Sequence, residues 1–134
     1  MELIRIYQCL CDRTRLRILH LLASSPLCVC HFQAILQEPQ VKISKHLAYL
    51  REHGLVQARR DENWMIYHLP GSCPAELKKN LKCLQDCVRE DPVFRKDLCR
   101  MKDLLRSPDV GERLDCCSSV QTKASRSGKQ CLQD

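Results

Sequence analysis

The residues best suited to chemistry are two cysteines one position apart, Cys28-Val29-Cys30, just after Pro26. Thiolates hold soft metals and metalloids that prefer sulfur ligands. Ser25 reads as an N-cap and Pro26 as the first residue of a helix over 26–37, because the missing proline N–H costs nothing there. Both thiols then fall in the first turn, where unpaired N–H groups and the helix dipole favour thiolate over thiol. Residues two apart on a regular helix point about 200° from each other, so both sulfurs reach one small atom only if that turn distorts. His31 follows directly, but a nitrogen ligand suits a soft ion poorly, and it is read as a helix-surface residue. An isolated Cys-x-Cys pair also has a blander reading, as two small apolar side chains in a core.

The chain has eleven cysteines in 134 residues, a density that in a short secreted protein means a disulfide framework. The odd count, the cysteines' place in helix-patterned segments and an amino terminus without a signal-peptide plan favour reduced thiols in a soluble, cytoplasmic chain. No apolar run reaches the roughly 18 residues of a membrane span. Cys116-Cys117 is a second candidate pair, either incidental or a source of a further thiolate. Cys9 and Cys11 read as helix packing, while Cys73, Cys83, Cys87, Cys99 and Cys131 carry no spacing that singles them out. There is no phosphate-binding Gly-rich loop, no nucleophile elbow and no Cys-x-x-Cys in a βαβ pattern, so an enzyme is disfavoured.

A second chemistry lies in the basic residues. The net charge of +6 points only weakly to an anionic partner, but residues 40–60 carry Lys42, Lys45, Arg51, Arg59 and Arg60 against Glu52 alone. The elements that must position these groups follow from periodicity. Leu3, Ile6, Tyr7 and Leu10 mark a helix over 2–11. Asp12 caps a second, and Val41, Ile43, Leu47 and Leu50 mark a fourth that stops at Gly54. Helices three and four have the size of a helix-turn-helix. Residues 55–60 and 64–69 then read as a hairpin around Asp61-Glu62-Asn63. A fifth helix opens at Cys73-Pro74 with the stripe Leu77, Leu81, Leu84 and Val88, expected to carry dimerisation, and a sixth opens at Asp91-Pro92.

The expected fold is therefore mainly α with a small β-hairpin, a winged helix-turn-helix over 1–106 followed by a flexible cysteine-containing tail over 107–134. In it the fourth helix turns Ile43, Leu47 and Leu50 to the core. Lys42, Ser44, Lys45, His46 and Tyr49 on its other faces meet a major groove, and Arg59 and Arg60 of the hairpin meet the neighbouring backbone. A plain solvated basic face is the competing reading.

The segments 12–19, 27–30, 43–56 and 64–69, from Asp12-Arg13-Thr14-Arg15 through Leu27-Cys28-Val29-Cys30 and Ile43-Ser44-Lys45-His46-Leu47 to Trp64-Met65-Ile66-Tyr67-His68-Leu69, come in the order that resembles the ArsR/SmtB family of metal-responsive repressors. The likeness is to its arsenic-responsive branch and covers about residues 2 to 90. It implies a homodimer, paired through the first and fifth helices, that binds double-stranded operator DNA without a cofactor and leaves it when metal binds. On this resemblance Cys28 and Cys30 are inducer ligands for trivalent arsenic or antimony, methylated trivalent arsenicals included, with Cys116 and Cys117 as further candidates. Two features depart from the branch. Gln33 stands where a third cysteine is common, and no histidine lies beyond His68 to build the zinc-sensor site of the fifth helix. A thiol-based redox sensor or metal-buffering protein is the alternative function, and it has no need for the fourth helix and hairpin.

Overall fold

A computed structural model describes residues 3–106, so Cys116, Cys117 and the whole 107–134 segment lie outside the described residues. Six helices and one antiparallel hairpin follow in the order α1 (Leu3–Leu10), α2 (Arg13–Leu22), α3 (Val29–Leu36), α4 (Gln40–Glu52), β1 (Gln57–Asp61), β2 (Trp64–His68), α5 (Ala75–Cys87) and α6 (Pro92–Arg106). This is the winged helix-turn-helix expected from the periodicity. Asp12 caps α2 by accepting the Arg15 N–H at 3.1 Å. Gln37 takes a left-handed conformation at the end of α3, and Glu38-Pro39 then makes the turn into α4. Gly54, with φ 79, closes α4, as the sequence predicts. Register runs from Gln57 opposite His68 to Asp61 opposite Trp64, with Glu62 at φ 60 in the turn.

The core joins Ile6, Ile18, Leu19, Leu21, Phe32, Ile35, Ile43, Leu47, Leu50, Leu55 and Leu77, all fully buried. Helix α2 is its centre, with α1, α4, α5 and α6 packed around it, while α3 lies against α4, α6 and β2. Across this core Arg17 and Asp97, eighty positions apart, form a two-pronged ion pair at 2.7 and 2.8 Å. The Asp97 side chain is 1% exposed. Arg17 also reaches the Leu36 carbonyl and Arg100 the Ile35 carbonyl, so side chains from α2 and α6 satisfy the open end of α3.

Three expectations are corrected here. Helix α3 starts at Val29, not Pro26, because Leu27 is drawn into an extended bridge with Tyr67 of β2. Cys11 is exposed and donates to the Tyr7 carbonyl, whereas Cys9 is packed as expected, its thiol pushed up to about 11 by burial. The stripe Leu77, Leu81 and Leu84 is buried inside the protomer, so it is core before it is anything else. Among the described residues, the exposed large apolar side chains outside α4 are Leu3, Ile4 and Tyr7 of α1.

Candidate functional site

Cys28 is the extended residue that precedes α3, and Cys30 lies in its first turn; they are 2% and 5% exposed. The extended backbone of Cys28 arises from its neighbour. The Leu27 N–H donates to the Tyr67 carbonyl at 3.0 Å and the Tyr67 N–H returns to the Leu27 carbonyl at 2.8 Å. Cys28 therefore sits where a strand-like clip to the hairpin hands over to a helix. Only Cys30 is therefore held in helical geometry, and the 200° separation of a regular helix does not apply to the pair.

His31 is buried, not on the surface. Its Nδ1 accepts the Cys28 backbone N–H at 3.4 Å, in the manner of a capping box. A neutral ring accepting at Nδ1 carries its proton on Nε2, and that buried atom has no hydrogen-bond partner. Beside these residues is a pocket of about 230 Å³, lined by Pro26, Leu27, Cys28, His31, Arg59, Ile66 and Leu105. The hairpin, the start of α3 and the end of α6 thus meet at Cys28. Among the described residues no group of three or more His, Cys, Asp or Glu side chains gathers into a metal-binding cluster.

Helix α4 presents Val41, Ser44, Lys45 and Ala48 as one exposed face. Lys42 is also exposed, but Glu38 lies 3.2 Å from its ammonium. His46 is half-buried, with Nε2 3.8 Å from Asp12 Oδ1. Burial lowers its affinity for a proton, and the Asp12 carboxylate offsets this only in part. Tyr49 is half-buried too, stacked on His53 at 4.2 Å and covered by the Arg15 guanidinium at 4.2 Å. Arg15 in turn donates to the Cys9 and Gln8 carbonyls that end α1. On the hairpin, Arg59 stands opposite Ile66 and lines the Cys28 pocket with it, while strand alternation turns Arg60 to the other face. The sequence-predicted DNA-contacting residues thus divide: Ser44 and Lys45 lie on the open face of α4, Arg59 is at the pocket and Arg60 is away from it.

No helix among the described residues is long and apolar enough to cross a membrane. Residues 12–58 match the family model described as bacterial regulatory protein, arsR family. The chain is 37% identical over 109 residues to the arsenic resistance transcriptional regulator ArsR1 of Pseudomonas putida, an alignment covering 81% of this chain and 79% of that one. It is 35% identical over 116 residues to the arsenical resistance operon repressor of Escherichia coli, covering 86% and 95%. Among solved structures, HlyU from Vibrio cholerae matches with a TM-score of 0.59 at 28% identity, over 65% of this chain and 91% of that one. The homodimeric winged helix-turn-helix domain Mb0332 from Mycobacterium bovis matches with a TM-score of 0.55 at 25% identity, over 65% and 78%. The two curated relatives are named as regulators of transcription, not as enzymes. With the helix-turn-helix of α3 and α4, the hairpin after it and this descent, the chain belongs to the ArsR family of winged helix-turn-helix transcriptional regulators.

Proposed function

We propose that the protein is a homodimeric repressor that holds operator DNA with Lys42, Ser44, Lys45, His46, Tyr49, Arg59 and Arg60 and releases it when trivalent arsenic or antimony binds Cys28 and Cys30. The observation that carries this reading is the clip between Leu27 and Tyr67 beside Cys28. A ligand that draws Cys28 toward Cys30 pulls on that clip, and so on the wing. It also pulls on the start of α3, which packs against α4. Both DNA-facing elements share one mechanical origin. The names of the curated relatives support arsenic as the inducing element.

In the binding step two As–S bonds replace two As–OH bonds of arsenous acid, and the two thiol protons leave with the hydroxyls as water. Arsenic stays trivalent throughout. A third thiol, from Cys116 or Cys117, replaces the last As–OH, its proton leaving with that hydroxyl as a third water: Leu105 lines the pocket with Cys28, and the chain from Leu105 to Cys116 reaches as far as about 36 Å. Methylated trivalent arsenicals, with one ligand position already filled, need only the first pair. The 107–134 segment then acts as an appendage to the DNA-binding unit of residues 1–106.

An anisotropy titration of labelled operator with arsenite tests the assignment. Serine keeps the size of cysteine but is a poor soft-ion ligand. Cys28→Ser and Cys30→Ser bind operator as wild type does and stay bound when arsenite is added. Cys116→Ser/Cys117→Ser releases at higher arsenite. Normal release by both single variants would reject the site, and a double tail variant locked on DNA would move it to the tail.

A further inference from the structure

We propose that Cys83 and Cys87 form a second, independent thiol site, on the exposed flank of α5, that takes a trivalent arsenical bearing one carbon substituent. The two residues are one helical turn apart, both exposed, with their Sγ atoms 3.9 Å from each other. They stand off the stripe Leu77, Leu81 and Leu84 that packs into the core, so filling the site displaces no core side chain.

The spacing suits an atom held between the sulfurs and not a bond between them. Two sulfurs at about 2.3 Å from a tetrahedral centre lie about 3.8 Å apart. The tighter angle of a pyramidal three-coordinate centre draws them in by roughly half an ångström, a small rotation about χ1. A disulfide needs Cβ atoms about 3.5–4.5 Å apart, whereas positions one turn apart on a helix keep them at about 5–6 Å. Oxidation would have to unwind α5, and arsenic binding does not.

Ligand count selects the class of ligand. A tetrahedral divalent ion wants about four donors, and among the described residues no third His, Cys, Asp or Glu joins this pair in a metal-binding group. A monosubstituted arsenical, R–As(OH)2, is complete with two sulfurs. Two As–S bonds form, two As–OH bonds break, and the thiol protons leave with the hydroxides as two waters, with no change of oxidation state.

The test uses the full chain and phenylarsine oxide. After loading, open thiols are capped with light iodoacetamide, the arsenical is stripped with an excess dithiol, and newly released thiols are capped with heavy reagent. Trypsin cuts after Lys82 and Arg89, leaving a peptide that holds Cys83 and Cys87 and no other cysteine. Both carry heavy label in wild type. In Cys83→Ser the protection of Cys87 falls by about a hundredfold, since the chelate partner is gone, and Cys87→Ser does the same to Cys83. Operator binding without arsenical is unchanged in both. Protection persists in Cys28→Ser/Cys30→Ser, which separates this site from the inducer site proposed above. Light label at both positions in wild type, undiminished protection of Cys87 in Cys83→Ser, or protection lost in Cys28→Ser/Cys30→Ser overturns the proposal.

Discussion

At single residues, the same charge counts differently according to what stands beside it. Lys45 lies on the open face of α4, while Lys42 has Glu38 at 3.2 Å. A lysine on a phosphate releases a counterion, so Lys45→Ala lowers the slope of log affinity against log salt by about 1. Glu38→Gln frees Lys42 and tightens operator binding by up to about 1 kcal/mol. Anisotropy titrations over a range of KCl concentrations measure both, and an unchanged slope in Lys45→Ala would remove that residue from the footprint. Neither the Glu38 pairing nor the pocket-side position of Arg59 can be read from charge counting, although i,i+4 spacing does suggest the first. Cys83 and Cys87 share that i,i+4 spacing, but among eleven cysteines it does not single them out until the helix brings their sulfurs to 3.9 Å. His31 gave no signal, because its burial comes from tertiary packing of α3 against α6 and β2.

Between elements, the limits of the sequence follow the distance over which a contact acts. The Asp12 cap was legible because its partner, the Arg15 N–H, is three residues away. Ser25-Pro26 is an equally good local helix start, yet it lost to the backbone clip between Leu27 and Tyr67. The ion pair of Arg17 with Asp97 spans the chain and had no local trace. Arg17→Met leaves Asp97 buried without its partner and destabilises the fold by about 3–5 kcal/mol. His20 packs edge-on against Phe94 in the same layer, and burial pulls it below its ordinary 6.5 despite the nearby Asp97. The unfolded chain therefore takes up a proton at a higher pH than the folded one. Stability contributed by neutral His20 is complete above that ordinary value and is lost as pH falls through it toward the folded value. Thermal melts across this range should show an acid-side loss that His20→Leu reduces. An identical loss in the variant would assign it to another group, with His46, lowered in the same direction, next in line.

For the whole molecule, periodicity identified which faces of the helices are apolar but not what covers them. Leu77, Leu81 and Leu84 repeat as a helix-packing stripe, and their partner is the core of the same protomer. That leaves α1 as the described element with an uncovered apolar face, where Leu3, Ile4 and Tyr7 are 45%, 63% and 51% exposed. A patch of this kind on one helix suits a two-fold contact, in which the same surface serves both copies. Operator binding makes the pairing consequential. Two recognition helices must stand about 34 Å apart to enter successive major grooves on one side of the duplex. A charge on the α1 face should therefore separate the protomers without unfolding them. Ile4→Glu is expected to sediment as a folded monomer, with the helical circular dichroism of wild type and operator affinity reduced toward non-specific binding. Leu81→Glu, by contrast, buries a charge in the protomer core and should lower the melting temperature whatever the oligomeric state. Sedimentation, melting and anisotropy on the two variants separate these effects. A dimeric Ile4→Glu with full operator affinity would place the dimer contact away from α1.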